Sequence, residues 1–298
     1  MTPILQTQGL SKRYRQRWAL TDCTLTIPAG HVVGLVGPNG AGKTTLLHLA
    51  TGLLSPTAGT IEVLGRPPAS KPEQLARIGF VAQDAPTYAG MSVADHLRLG
   101  ARMNPGWDAA LAADRIKRLG LDPRQRAGKL SGGQRAQLAL TLAIAKRPDL
   151  LLLDEPIASL DPLARREFLQ GLMEFTADNQ VSVVMSSHLM ADLERVCDYL
   201  VVLVASRVQL AGDVEQLLAE HSLLTGTRHD PADLPPDWQV ITASHTDKQS
   251  TLLVRSPAPI TDPAWTVGKV DLEDLVLTYM SQAASPAAGR NHVLEAQR

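Results

Sequence analysis

Short apolar stretches alternate with amphipathic ones through the first two-thirds of the chain. Polar and apolar residues alternate over residues 20–27, which predicts a half-buried strand. Residues 31–36 are apolar and rich in valine, as in a strand that is buried inside a parallel sheet. A helix is predicted at residues 43–54, and further strands are predicted at 60–64 and 78–82.

A block of helices interrupts this pattern at residues 92–146. Three helices are predicted there, at residues 93–102, 108–119 and 132–146. Ser92 is suited to cap the first helix, because its hydroxyl can accept a hydrogen bond from a free backbone amide. Asp108 opens the second helix, and Gly120 ends it.

Strands and helices alternate again beyond the helical block. Strands are predicted at 149–153, 181–186 and 199–204, and helices at 162–177 and 188–197. Alternation on both sides of the block predicts an α/β fold with a parallel core sheet. The block is then an inserted helical subdomain, at about residues 84–147, within a first domain that spans residues 1–218.

The pattern changes after the first domain. Residues 222–265 hold several prolines and short alternating pieces, and residues 271–282 predict one amphipathic helix. We interpret residues 219–283 as a small α/β accessory region with no catalytic motif. Residues 284–298 are rich in alanine and polar residues and are predicted to form a flexible tail.

Composition excludes several classes of protein. The 298 residues include 29 Lys and Arg against 30 Asp and Glu, so net charge provides no reason to bind nucleic acid or acidic lipid. Cys23 and Cys197 fit neither a disulfide framework nor a metal pattern. No apolar run approaches the length of a membrane span, and the N-terminus lacks a signal-peptide pattern. We therefore expect a cytoplasmic protein that does not insert into lipid.

Residues 37–44 carry the sequence GPNGAGKT, between a buried strand and a helix. This is the phosphate-binding P-loop pattern, in which glycines let successive backbone N–H groups turn toward phosphate oxygens. Lys43 reaches the outer phosphates, and the Thr44 hydroxyl is suited to Mg²⁺. A glycine-rich turn that binds nothing would not need Lys and Thr directly after the last glycine. The predicted nucleotide-binding residues here are Gly37, Pro38, Asn39, Gly40, Ala41, Gly42, Lys43, Thr44 and Thr45.

Two carboxylates follow the apolar run 150–153. Ligands of parallel α/β sheets bind at the carboxyl ends of the strands, which is where Asp154 and Glu155 fall. Asp154 is suited to hold Mg²⁺ through a water, and Glu155 to accept a proton from the attacking water. Both residues could instead cap the next helix, but a P-loop in the same chain favours the catalytic interpretation.

A second anion-binding pattern lies at Ser131, Gly132, Gly133 and Gln134, directly before a helix rich in alanine and leucine. Small residues and free amides at a helix start form a phosphate cradle. A helix cap with flexible glycines is the alternative. A simple P-loop kinase or GTPase has no use for a second cradle.

Taken together, these motifs resemble those of the ATP-binding subunits of ABC transporters, over about residues 3–218. Residues 37–44 match the Walker A motif, residues 150–155 the Walker B motif, and residues 130–134 the family signature. The family also has a P-loop NTPase fold with an antiparallel β subdomain, which the resemblance implies here.

Further family positions are matched by single residues. Gln83 is similar to the Q-loop glutamine, Asp161 to the D-loop aspartate, and His188 to the switch histidine. Tyr14 lies where the family stacks an aromatic ring on adenine, with Trp18 as a nearby rival.

The resemblance implies a mechanism in which two subunits face each other head to tail. ATP is held by the P-loop of one chain and covered by Ser131–Gln134 of the other. The implied catalytic residues are Lys43, Gln83, Glu155 and His188, and the implied Mg²⁺ residues are Thr44, Gln83 and Asp154. The expected partners are a second ATP-binding subunit, homo- or heteromeric, and integral-membrane permease subunits that hold the chain at the cytoplasmic face. Residues 84–91 are the predicted docking surface.

Several alternatives stay open at this stage. Residues 37–45 and 186–194 look like exporter-type ATPases, and residues 104–108 are similar to a bacterial branch of that group, whereas an importer subunit is the second interpretation. A soluble ABC-type ATPase that acts on ribosomes or DNA is disfavoured by the single cassette and the absence of a long coiled coil. A non-hydrolysing cassette is disfavoured by intact Lys43, Glu155 and His188. The accessory region is hypothesised to help dimerisation.

Overall fold

The computed structural model describes residues 3–84, 87–228 and 234–284. The strands are β1 Pro3–Tyr14, β2 Arg17–Pro28, β3 Val32–Val36, β4 Ala58–Val63, β5 Ile78–Val81, β6 Leu150–Asp154, β7 Ser182–Ser187, β8 Tyr199–Val204, β9 Arg207–Asp213, β10 His221–Thr227, β11 Gln239–His245, β12 Gln249–Arg255 and β13 Trp265–Gly268. The helices are α1 Lys43–Ala50, α2 Pro72–Ala76, α3 Val93–Met103, α4 Ala109–Arg118, α5 Gly132–Ile144, α6 Pro162–Asp178, α7 Met190–Leu193, α8 Val214–Glu220 and α9 Leu272–Ala284.

A six-stranded sheet in the order β5-β6-β7-β3-β8-β9 forms the central layer. Its first five strands are parallel, and β9 adds an antiparallel edge. Every residue of β3 and β6 is buried, as the apolar runs predicted. Such strands need helices on both faces, and this confirms the predicted α/β class with a parallel core.

A three-stranded antiparallel sheet in the order β2-β1-β4 covers one side of the core. The hydrophobic pattern did not predict β1, because a register shift between Thr7 and Leu10 interrupts its alternation. The alternation predicted for residues 20–27 is wrong at Leu20, which was placed on the polar side of the strand but is buried. Asp22 has a φ of 51°, and this irregular position lets both Leu20 and Cys23 face the interior.

The helical block contains α3, α4 and α5 with the predicted starts. The Ser92 hydroxyl accepts from the Asp95 amide, and the Asp108 carboxylate accepts from the Leu111 amide, so both residues are N-caps. Val93 of α3 packs with residues of α4 and α5 in a small separate core. The block is thus held by its own apolar contacts as well as by the main sheet.

Two predicted helices are shorter in the structure. α1 ends at Ala50 instead of residue 54, since Gly52 has a φ of 75° and turns the chain out of the helix. The predicted helix over residues 188–197 contains only the single turn α7, and turns follow it. The strand β9 and the helices α2 and α8 were not predicted.

The C-terminal residues form a second antiparallel sheet, in the order β11-β12-β10-β13, and the helix α9. Leu275 and Val276 of α9 are buried in the same apolar cluster as residues of the central sheet. The predicted boundary at residue 218 falls within α8. The predicted tail lies, apart from Ala284, outside the described residues. Within the described residues, no helix combines the length and the apolar character needed to cross a bilayer.

Candidate functional site

An open cleft of about 700 Å³ lies at the carboxyl ends of β3, β5, β6 and β7. Because these strands are parallel neighbours, the chain segments that follow them meet at one edge of the sheet. The residues that line the cleft are Tyr14, Arg17, Ala19, Asn39, Gly40, Ala41, Gly42, Lys43, Thr44, Thr45, Gln83, Glu155 and His188. Motifs that are far apart in sequence therefore share one site.

The P-loop connects β3 to α1 through glycines that other residues could not replace. Gly42 has a φ of 111°, and a Cβ there would collide with the carbonyl oxygen of Ala19. A Cβ on Gly37 would collide with the carbonyl oxygen of Leu203. Gly42 is also the N-cap of α1, and no described side chain accepts from the first amides of this helix. Those amides are available for an anion, which the helix dipole favours.

Lys43 is buried at the base of the cleft. Its Nζ donates to the carbonyl oxygens of Gly37 at 2.7 Å and Pro38 at 3.4 Å, and lies 3.5 Å from Oε1 of Glu155. A buried ammonium needs such partners, because desolvation without them is costly. The contacts hold the positive charge beside the free amides of α1, where phosphate oxygens would bind.

Ser186 links the side chain of Asp154, the last residue of β6, to the backbone of Glu155. Its hydroxyl donates to Oδ1 of Asp154 at 2.8 Å and accepts from the backbone amide of Glu155 at 2.8 Å. Asp154 is only 1% exposed, and its Oδ2 has no hydrogen-bond partner among the described residues. A buried carboxylate oxygen left in this way fits a bound cation or a cation's water. Sequence reasoning noted Ser186 only as a neighbour of His188.

Glu155 and His188 form a pair across the ends of β6 and β7. Nδ1 of His188 lies 3.2 Å from Oε2 of Glu155, and the carboxylate is mostly buried while the imidazole is half exposed. Glu155 has a φ of 44°, a conformation rare outside glycine that occurs at functional sites. Its carboxylate lies between the Lys43 ammonium and the imidazole, so it can accept a proton beside a bound phosphate.

The hairpin between β1 and β2 forms the outer wall of the cleft. Tyr14 lines the cleft and is half exposed, whereas Trp18 is not among the described residues that line it. The structure therefore places Tyr14, and not its rival, beside the P-loop. Arg17 pairs with Tyr14 across the hairpin, and its Nη2 lies 3.1 Å from where a Cβ on Gly40 would be. Arg17 was not predicted as a site residue. Its position three residues after Tyr14, the predicted adenine contact, could have indicated it.

The second anion-binding pattern does not line this cleft in the described part of the chain. Ser131 caps α5 in a capping box, in which its hydroxyl accepts from the Gln134 amide at 3.2 Å and its own amide donates to the Gln134 side chain at 3.0 Å. Asp161 caps α6 through the amides of Leu163 and Ala164. A Cβ on Gly133 would lie 2.8 Å from Cβ of Ala164, so the starts of α5 and α6 are in contact.

A largely apolar groove of about 810 Å³ lies between the central sheet and the helical block. Exposed side chains line it, including Leu53, Met103 and the 66%-exposed Tyr88, whose ring stacks on His96. The groove includes Tyr88 from the predicted docking segment 84–91, of which residues 85–86 lie outside the described residues. Apolar side chains exposed together in a groove are typical of an interaction surface.

Comparison with known proteins places these features in one family. The family model described as "ABC transporter" matches residues 20–158. Nod factor export ATP-binding protein I of Cupriavidus metallidurans is 33% identical over 272 residues, which cover 87% of this chain and 89% of that protein. Molybdenum import ATP-binding protein ModC of Mesorhizobium japonicum is 36% identical over 222 residues, which cover 72% of this chain and 60% of that protein.

Solved structures show the same likeness. A structure of the ATP-binding subunit of an ABC transporter superimposes with a TM-score of 0.65 at 29% identity, covering 72% of this chain and 92% of that one. The structure of cbiO1 from Clostridium perfringens, part of the ABC transporter complex cbiONQ, superimposes with a TM-score of 0.64 at 27% identity. The superposition covers 74% of this chain and 92% of the cbiO1 chain.

Proposed function

The chain belongs to the ATP-binding subunits of ABC transporters, and we propose that it drives export of a substrate through a separate membrane permease. The observation that carries the ATPase activity in this proposal is the cleft in which the Lys43 ammonium and the His188 imidazole flank the Glu155 carboxylate. ATP hydrolysis in this cleft supplies the free energy for transport.

ATP binds with its phosphates on the free amides of α1 and its adenine toward Tyr14. The amides and Lys43 together present several donors and one positive charge to the phosphate chain. When phosphate oxygens arrive, Lys43 exchanges its contact with Glu155 for a contact with the nucleotide. Binding of ATP thereby leaves the Glu155 carboxylate available for chemistry.

Asp154 and Thr44, with Gln83 at the rim of the cleft, would hold a Mg²⁺ ion. The free Oδ2 of Asp154 fits this role, and oxygen donors are the ligands that Mg²⁺ prefers. When bound, Mg²⁺ neutralises negative charge on the phosphates. Ser186 keeps Asp154 oriented through its hydrogen bond to Oδ1.

Glu155 acts as the general base on the attacking water. Its position between Lys43 and His188 directs one carboxylate oxygen toward the phosphate site, and the Ser186 hydroxyl fixes its backbone. His188 orients Glu155 and can donate to the γ-phosphate. Gln83 senses the occupied site from the rim.

A second copy of the ATP-binding subunit completes the site. Ser131–Gln134 form a helix N-terminus suited to an anion, yet they do not line the described cleft of their own chain. In a head-to-tail dimer they cover ATP bound to the other subunit, and hydrolysis separates the two.

The permease docks in the apolar groove that includes Tyr88, and it holds the subunit at the cytoplasmic face of the membrane. Tyr88 of the groove lies five residues after Gln83 of the cleft along the chain, so occupancy of the cleft can be transmitted to the partner. Export is favoured over import because similarity to the Nod factor export protein extends over 87% of this chain, against 72% for the molybdenum import protein.

Transport in vesicles tests the proposal. The chain is produced together with a polytopic membrane protein that is recovered with it from detergent-solubilised membranes, and inside-out vesicles are assayed for ATP-dependent movement of candidate substrates. Export predicts accumulation inside these vesicles, which Glu155→Gln abolishes. Loss of a preloaded substrate from the vesicles upon ATP addition would indicate import. ATPase activity with no associated membrane protein would favour a cassette that acts outside transport.

A further inference from the structure

The C-terminal region lies against the part of the chain that carries His188. α9 packs on α7 and β8. Leu275 and Val276 of α9 are fully buried in the same apolar cluster as Leu193 of α7. The accessory region therefore touches the catalytic domain close to the cleft, through side chains that are part of the main core.

A small cavity of about 340 Å³ lies between α9 and residues 187–192, which we term the switch segment. Its walls include Pro38 of the P-loop, His188 of the switch segment, and Val276, Leu277 and Met280 of α9. Side chains of α9 thus line the same cavity as Pro38 of the phosphate-binding loop and His188, which pairs with Glu155.

The switch segment has little regular structure of its own. α7 is a single turn of four residues, and no described side chain caps its start. One helical turn is unstable in isolation, because the cost of nucleation is not offset by further hydrogen bonds. The position of the segment therefore depends on what packs against it. On one side Arg165 of α6 lies 3.6 Å from Asp192, and on another side lies α9.

α9 is anchored independently of the switch segment. The Tyr279 hydroxyl lies 3.0 Å from Nε2 of His221, and Nδ1 of His221 donates to the carbonyl oxygen of Leu217 at 2.6 Å. Burial lowers the pKa of His221, which favours the neutral ring, whose Nε2 can accept from the hydroxyl. α9 is therefore held by contacts outside the switch segment and presents a defined surface to it.

We propose that α9 positions the switch segment, so that Leu277 and Met280 determine how well His188 is aligned with Glu155 during ATP hydrolysis. This inference rests on the catalytic role proposed above for His188. Leu277 and Met280 are positioning residues, since they border the segment and do not line the nucleotide cleft. The accessory region then takes part in turnover within its own chain.

Point variants of the full chain test this inference. Leu277→Ala is tolerated by the fold, because Leu277 is 52% exposed and alanine favours helix. We expect kcat for ATP hydrolysis to fall about tenfold, as misalignment of a catalytic group does, while the Kd for ATP stays unchanged. Leu277→Met should restore most of the turnover. The matched controls are Leu223→Ala and Val267→Ala, which shorten apolar side chains that are 40% and 45% exposed and do not line the cavity. Both controls should leave kcat unchanged.

A double-mutant cycle with His188→Ala separates positioning from a general loss of stability. If Leu277 acts through His188, Leu277→Ala causes no further loss of residual turnover in the His188→Ala background. Equal losses in both backgrounds, or an unchanged kcat for Leu277→Ala alone, would overturn the inference. Wild-type turnover of His188→Ala itself would instead refute the catalytic role on which the inference rests.

Discussion

Two helices of this protein begin with glycines and could each bind an anion, but their first turns are satisfied differently. The N-cap of α1 is Gly42, and no described side chain accepts from the first amides of this helix. The N-cap of α5 is Ser131, whose capping box with Gln134 satisfies two donors within the chain. The first helix start is thus incomplete without a ligand, whereas the second is stable on its own.

The difference explains how one chain can carry two phosphate-binding elements without competition between them. The α1 start lies beside Lys43 and Glu155 at the base of the cleft. The α5 start lies outside that cleft and contacts the start of α6 through Gly133 and Ala164. A self-capped element can remain folded while it awaits a second subunit, so it is suited to an interface that opens and closes.

The largest expected effect concerns chemistry at the α1 start. Glu155→Gln keeps the shape of the side chain but cannot accept a proton. We expect kcat to fall by about 10²- to 10⁴-fold, as for loss of a general base. ATP binding should persist, and a stable ATP-bound dimer should appear by light scattering. Wild-type turnover in this variant would remove Glu155 as the base.

The next effect concerns binding at the same helix start. Lys43→Ala removes the charge beside the free amides, and we expect the Kd for ATP to rise about 100-fold, or roughly 3 kcal/mol for lost charged hydrogen bonds. Fluorescence titration with a labelled nucleotide measures this. The exposed Lys248→Ala is the control and should bind ATP normally. Unaltered affinity for Lys43→Ala would place the phosphates elsewhere.

At the α5 start, capping can be separated from phosphate binding. Ser131→Asp retains an N-cap acceptor, so the melting temperature should change little. The new negative charge opposes a phosphate from the other subunit, and we expect turnover and ATP-dependent dimerisation to fall about tenfold or more. Ser131→Asn, a neutral cap, is the matched control.

If Ser131→Asp and Ser131→Asn show equal turnover and dimerisation, the α5 start is only a helix cap. The contrast between the two helix starts would then reflect folding alone, and the proposed head-to-tail site would lose its main support.

The smallest expected effect concerns the outer wall of the cleft. Tyr14→Ala removes a ring beside the adenine position, and we expect KM for ATP to rise by about five- to tenfold, near the lower range for base stacking. Trp18→Ala, on the same hairpin, should leave KM unchanged. A larger rise for Trp18→Ala would exchange the roles of the two rings.

Much of the fold followed from local patterns. The apolar runs at β3 and β6 predicted buried parallel strands, and both are completely buried. Ser92 and Asp108 predicted helix starts because capping needs only neighbouring residues. β1 was missed since a register shift breaks its alternation, and the helix at residues 188–197 was overestimated since the chain forms turns after Leu193.

Some features of the candidate site could likewise be predicted from local sequence, and others depend on the tertiary structure. The P-loop was identified from residues 37–44 alone, since its glycines, lysine and threonine are contiguous and act through their own backbone. The bridge from Ser186 to Asp154 and Glu155 could not be predicted, because it depends on the pairing of β6 with β7. The place of Arg17 in the cleft likewise depends on how the β1–β2 hairpin folds over the P-loop.

The sequence by itself determined the family and the chemistry, because the motifs that bind phosphate and activate water are short and local. Only the tertiary structure decided which of them meet. Parallel strands bring Lys43, Glu155 and His188 to one sheet edge, and they leave Ser131 at a different helix start. The tertiary structure also decided that α9 lies against the switch segment. Leu275 and Val276 are far from that segment along the chain, but the hydrophobic effect favours their burial in the main core.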